Sequence, residues 1–231
     1  MTAAGKDGQK RAVRKRRPGK RAGLDVDQII AAAKTLPLEA VSMQSLADVL
    51  KVDRKALHYH VKDRQSLFEL LARHAFSERL MQTRVNEAAD WKEACRIYAR
   101  DLADCATGLA ELVDYLWFGD LMSDLPLEPV ETMFKHLNAA GFTDEQSIRL
   151  MTVLSTLCLG HARDLAQAHK EVARTRSQLL KTALGAQADR SFPSLERIAS
   201  RNVDTYNAEQ LSFSIELIIA GAEETLRQAQ R

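Results

Sequence analysis

The sequence predicts an all-α fold, on three observations. Apolar residues recur at helical spacing over long stretches, at Trp91, Cys95, Tyr98, Leu102, Cys105 and Leu109, and again at Ile148, Met151, Leu154, Leu157, Cys158 and Leu165. Glycine and proline are sparse, 10 and 5 in 231 residues, while 45% of residues are apolar, which suits a helix-rich globular chain. Asp, Asn, Ser or Thr stands just before several of these stripes, where a side-chain oxygen satisfies the unpaired amides of a first helical turn.

Taken in order, the chain begins with a charged arm. Nine of the 33 basic residues and one of the 31 acidic ones fall within residues 1–24, so the remainder carries a net charge of −6. Almost no large apolar group lies in this arm to offset the entropy of ordering it. Two readings stand for it: an arm that neutralises nucleic-acid phosphates or enters a minor groove, or a solvated tail.

Asp25–Leu36 reads as the first helix, capped by Asp25, striped by Val26, Ile29, Ile30 and Ala33, and stopped by Pro37. Ser42–Ala72 then reads as a short helix, a tight turn, a second short helix ending in His-Tyr-His, and the start of a long helix. Leu46, Ala47, Leu50, Val52, Leu57 and Val61 form the inside of this helix-turn-helix, and Arg54, Lys55, His58, Tyr59 and His60 its polar, basic outside. That combination is a DNA-reading element. Ser42 caps its first helix and Asp53 its second. Arg54 is the foremost candidate for base readout, because its fork can bond guanine O6 and N7 together. Lys55 can serve base or phosphate, and His58 stands one turn on. Gln44 is exposed in the turn that Ser42 caps. Tyr59 has a competing reading as a core residue. His58 and His60, at i and i+2 on a helix, point about 200° apart, so they share no metal ion.

A long helix over residues 64–85 follows, through Leu67, Leu70, Leu71, Ala75 and Leu80. Trp91–Leu112 is the next amphipathic helix, with Gly108 as a break or bend. Leu127–Ala140 is another, closed by Gly141. Thr143 and Gln146 have capping-box spacing and open a helix through Leu165. Residues 168–190 are polar and read as a helical extension passing into a mobile linker. A short helix spans 193–198, and Asn207 caps the last one. In that last helix Leu211, Phe213, Ile215, Leu217, Ile218, Ile219 and Ala222 are apolar on more than one face, as a helix buried on two sides in a four-helix interface requires.

Cys95, Cys105 and Cys158 are widely spaced without a CxxC pair, and read as small core residues of a cytosolic protein. No run of about 18 apolar residues predicts a membrane span, and no apolar segment follows the N-terminal charges as a secretory signal would need. GxSxG, a phosphate-cradling glycine loop and a His-Glu metal motif are all missing, so no catalytic residue, metal or cofactor is expected.

The stretch SLADVLKVDRKALHYHVKDRQSLFELL, preceded by DQIIAAAKTLPLEAV, resembles the N-terminal domain of the TetR family of bacterial repressors. GFTDEQSIRLMTVLSTLCLGHARDL and FSIELIIAGAEETL resemble the paired dimerisation helices of its tetracycline-repressor-like subgroup, so the likeness spans nearly the whole chain. The resemblance implies a cytoplasmic all-helical homodimer that binds an operator and releases it when a small molecule enters the larger domain. It divides the chain into the basic arm at 1–24, a DNA-binding domain at 25–72 and an effector-binding and dimerisation domain at 73–231. It implies that Ser42 touches a DNA phosphate with Gln44 beside it, that Tyr59 and His60 contact the backbone, and that Arg64 stands for a phosphate-binding Lys. Within the family, the helix from Arg64 carries the motion of induction.

Departures from the family pattern bear on specificity. Lys51 stands in the turn where Gly is usual, a place that favours positive φ. Ala56 replaces a hydroxyl and offers only a methyl to thymine, so the operator differs from that of the tetracycline repressor. Leu80 replaces a ring-binding His and Tyr98 an Asn, which argues against tetracycline with Mg²⁺ and for a mainly apolar or aromatic effector. Tyr98, Leu102, Trp117, Phe118, Met122, Met133, Phe134 and His161 are the candidate lining residues, each of which, taken singly, reads more readily as core than as a ligand contact. The alternative function is a constitutive or architectural DNA-binding protein with no effector.

Overall fold

The computed structural model describes residues 24–116, 125–170, 175–187 and 189–229, and the chain divides into two compact units, one ending at His60 and the other beginning at Val61. Ten α-helices and no strand occur among the described residues. The arm at 1–24 lies outside them up to residue 23.

The smaller unit holds α1 (Val26–Ala33), α2 (Met43–Leu50) and α3 (Arg54–His58). Asp25 caps α1 in a capping box: the Gln28 amide donates to Asp25 Oδ1 at 2.8 Å, and the Asp25 amide to Gln28 Oε1 at 3.2 Å. Ile29, Ile30, Leu46, Ala47 and Leu57 are buried, whereas Leu50 and Val52 are only half-buried. Lys51 closes α2 in the left-handed conformation, φ 54° and ψ 43°. The Lys51 amide donates to Asp48 O at 3.3 Å and the Val52 amide to Ala47 O at 3.1 Å, the two bonds of a Schellman closure. The same pair of bonds closes a later helix at Gly141, φ 99°, where the residue is the expected glycine. A side chain bearing Cβ is strained in this region. Lys51→Gly therefore raises stability by about 0.5–1 kcal/mol; an unchanged midpoint in thermal unfolding would show that the turn tolerates Lys without strain.

The larger unit is built around α5 (Trp91–Thr107), which packs against α4 (Arg64–Leu80), α6 (Leu127–Ala140), α7 (Asp144–Lys170) and α10 (Ala208–Ala229). Its predicted stripe is buried throughout, from Trp91 to Leu109. The alanines of that face, Ala94, Ala99, Ala103 and Ala106, are also fully enclosed. Small side chains bring α7 close enough for Cys158 Sγ to donate to Ala99 O at 3.1 Å. All three cysteines are buried and unpaired with one another, and burial pushes the Cys158 thiol up to about 12 and the Cys105 thiol to about 11. They are packing groups, not nucleophiles.

Three helices are shorter than expected: α1 ends at Ala33, α4 at Leu80 and α5 at Thr107, with Gly108 as its cap. One further expectation fails. The segment read as extension and linker contains α8 (Arg176–Gly185), opened by a Thr175–Gln178 capping box and packed on α9 (Pro193–Ser200). Arg176 fixes its start, bonding Asp164 of α7 and Thr205 Oγ1 (2.6 Å), and lying 4.6 Å over the Tyr206 ring.

Leu211, Ile215 and Ile219 seat α10 on the core. Arg96 also grips Glu216 with two bonds, of 2.6 and 2.8 Å, and Lys92 reaches Glu223 at 2.6 Å. Arg96 and Glu216 are a third and a half exposed, so that pair contributes about 0.2–1 kcal/mol. Each of the three buried aliphatics contributes about 1.5–3 kcal/mol. Apolar burial holds the helix, and the ion pairs set its register. The other face of α10 leaves Phe213 and Leu217 60% and 58% exposed, and neighbouring α7 leaves Val153 50% exposed.

Candidate functional site

In the smaller unit, local chemistry presents a short, outward-facing basic segment. The hydroxyls of Ser42 and Ser45 cap α2 reciprocally: the Ser45 amide donates to Ser42 Oγ at 3.1 Å, and the Ser42 amide to Ser45 Oγ at 3.0 Å. Gln44 is exposed on the first turn, its amide donating to Asp48 Oδ1 at 2.9 Å. Asp53 Oδ1 accepts the Lys55 amide at 2.8 Å and starts α3. With Leu57 fully buried on the inner side, Arg54, Lys55 and His58 are left exposed on the outer one. Tyr59 and His60 continue that surface past the end of the helix. Tyr59 is 90% exposed, which removes its reading as a core residue. An exposed tyrosine among cations, on a segment anchored by one leucine and one cap, has no packing role to explain it.

Arg64 belongs to the larger unit, at the first position of α4. Asp63 caps that helix, accepting the Ser66 amide at 2.8 Å and the Ser66 hydroxyl at 2.9 Å, and these bonds hold its carboxyl below the usual range. The Arg64 guanidinium lies 4.5 Å over the Phe68 ring, which itself packs on Tyr115 with centroids 5.1 Å apart. Stacking on an aromatic face leaves the guanidinium's in-plane donors open to an anion.

The larger unit also contains a cavity of about 370 Å³ between α4, α5, α6 and α7. Phe76, Tyr98, Leu102, Leu125, Val130, Phe134, Ile148, Met151, Thr152, Ser155 and Leu159 line it. Among the described residues no carboxylate, ammonium, guanidinium or imidazole reaches its wall. Such a space suits a mainly apolar molecule. Three of the sequence-based candidates, Tyr98, Leu102 and Phe134, meet here. Met133 is fully enclosed in the core instead. His161 lines a separate polar cleft with Asp164 and Arg176, where burial lowers its pKa. Trp117, Phe118 and Met122 lie outside the described residues.

The cavity residues on α7 are Ile148, Met151, Thr152, Ser155 and Leu159, a helical face at spacings of three and four. His161, two positions beyond Leu159, is turned about 200° from that face. Ser155 was invisible to the sequence reading. The available signal was a hydroxyl one helical turn from each of two buried apolar residues, Met151 and Leu159.

Comparison with known proteins places these features in context. A family model described as the tetracyclin repressor-like C-terminal domain matches residues 85–226. A curated HTH-type transcriptional regulator of Saccharopolyspora erythraea is 25% identical over 183 residues, covering 74% of this chain and 73% of its own. Among solved structures, the chain is similar to apo ActR from Streptomyces coelicolor, with a TM-score of 0.65 and 24% identity over 89% of this chain and 99% of that one. TetR from Acinetobacter baumannii gives a TM-score of 0.56 and 19% identity, over 88% and 98% of the two chains. At these identities the structural likeness speaks for the fold. No helix among the described residues is long and apolar enough to cross a membrane.

Proposed function

The chain belongs to the TetR family of transcriptional regulators, and from that premise we propose that it is a cytoplasmic, non-enzymatic homodimeric repressor, released from a palindromic operator by a small apolar or aromatic effector. The observation that carries this reading is the exposed segment Arg54–His60, held outward by the buried Leu57 and the Asp53 cap. Arg54, Lys55 and His58 read base edges in the major groove. Ser42, Gln44, Tyr59, His60 and Arg64 position the protein on phosphates, which fixes register without reading sequence. Two heads per dimer, spaced by about 34–36 Å, require a two-fold operator. The cavity of about 370 Å³ supports an effector over constitutive binding. A ligand that fits only one dimer geometry withdraws the heads from that spacing.

Selection of bound duplexes from random DNA at stated salt tests the reading, and is expected to return a palindrome. Arg54→Ala then weakens binding to the selected operator by about 1–3 kcal/mol and relaxes specificity at one base pair. Unchanged affinity would remove Arg54 from base readout. A palindrome from which no small molecule releases the protein would favour constitutive DNA binding, and no palindrome at all would refute the dimeric repressor.

A further inference from the structure

The cavity wall is apolar except at a few hydroxyls, and two of these are deeply enclosed. Tyr98 on α5 is 2% exposed and Ser155 on α7 is 5% exposed. Both line the cavity, and neither hydroxyl has a hydrogen-bond partner among the described residues. Thr152, the other hydroxyl of the wall, donates to Ile148 O at 2.8 Å and is accounted for by its own helix. Serine in a helix has the same option of bonding a carbonyl one turn back, and Ser155 does not take it. Side-chain oxygens cut off from solvent-sized space are nearly always paired in native proteins; these two are not cut off but open onto the cavity. Helices α5 and α7 thus present two hydroxyls to the same apolar space with hydrogen-bonding capacity that no described residue takes up.

We propose that this pair recognises an uncharged aromatic molecule bearing one hydrogen-bonding oxygen, a phenol or a ketone, with its ring among Phe76, Leu102 and Phe134 and its oxygen at Tyr98 and Ser155. This inference rests on the reading of the cavity as an effector site, and adds the chemical class that the site selects. A ketone accepts from either hydroxyl; a phenol donates to one and accepts from the other. Burial raises the Tyr98 phenol above its usual range, so it stays protonated and available as a donor. A carboxylate or an ammonium finds no counter-charge on the described wall and would enter unpaired, which an apolar enclosure strongly disfavours. The pair therefore selects for an oxygen atom and against a charge.

Equilibrium dialysis of the full chain without DNA, against naphthalene, 1-naphthol and 1-naphthoate, tests this. In a purely apolar cavity the better-hydrated naphthol would bind more weakly than naphthalene. The expected result is the reverse, with 1-naphthol tighter than naphthalene by about ten-fold and 1-naphthoate weakest. In the double variant Tyr98→Phe, Ser155→Ala the preference for naphthol is lost while naphthalene still binds, which also reports that the cavity survives the changes. The inference is overturned if the intact protein prefers naphthalene or naphthoate, if none of the three binds, if the preference survives in the double variant, or if that variant loses naphthalene as well. Naphthol binding with the expected preference, but without release of operator DNA, would leave the site standing and remove its role as the effector site.

Discussion

With the homodimer proposed above, Leu217→Lys is expected to render the chain monomeric and to lower its affinity for a two-half-site operator by about 10²–10⁴-fold. Leu211, Ile215 and Ile219 are buried against the core, while Phe213 and Leu217, one turn apart, are 60% and 58% exposed. Val153 on the adjacent α7 is 50% exposed. Covering the exposed half of side chains of this size stabilises by about 1–1.5 kcal/mol each, and a second copy related by two-fold symmetry would cover both sets. Open space lies outside Gly160 and Gly221, so another helix can approach both closely. Lysine at the centre of that contact would bury an unpaired charge. Because Leu217 contributes little to its own core, the variant still folds, with a thermal midpoint lowered only by the lost coupling of folding to dimerisation and no longer dependent on protein concentration, and because the heads are untouched it keeps its affinity for a single half-site. Sedimentation at micromolar concentration reads the oligomeric state directly. A variant that still sediments as a dimer would show that the α7–α10 face is not the interface.

Much of the fold was legible because it is written locally. The caps at Asp25, Ser42, Asp53, Thr143 and Asn207 each use a side chain within three residues of the amide it satisfies. The stripe of α5 and the glycine after α6 are equally local, and so is the left-handed turn at Lys51, which the sequence marks by a departure from the expected glycine. Helix α8 was legible only at its start, where Thr175 and Gln178 cap each other across three residues. Its Leu179 is 48% exposed, so it shows no clear apolar face, and its position depends on Arg176 bonding Asp164 and Thr205, 12 and 29 residues away. Periodicity carries no information about such partners. The same limit applies at the cavity. Tyr98 and Phe134 were visible as large aromatics on helical stripes, whereas Ser155 acquires significance only when α7 is laid against α5. His161 is on the same helix as Ser155, and helical geometry alone places it elsewhere.

Phe76→Ala is expected to cost about 3–5 kcal/mol of stability, and part of that loss is recoverable by ligand. Phe76 is 1% exposed on α4, and its side chain also forms part of the cavity wall. A residue in both positions could be there to fill the core or to shape a binding space, and the two roles separate under this substitution. Truncation removes the ring's packing contacts and enlarges the space bounded by Leu102, Phe134, Met151 and Leu159. Urea unfolding measures the loss. If Phe76 bounds a binding space, a bulkier aromatic ligand than the native protein accepts then binds the variant and raises its unfolding free energy by RT ln(1 + [L]/Kd) at free ligand concentration [L], read as a higher urea midpoint. Competing against this is collapse of the neighbouring helices into the gap, which would limit the loss to the transfer part, about 1.5–3 kcal/mol, and leave nothing to bind. Helix α5 opposes that collapse, since its alanine face already packs α7 at close range and leaves it little further to move. A small loss in urea together with no gain in ligand size would therefore mean that the space between α4 and α7 is a packing defect, and would count against an effector site there.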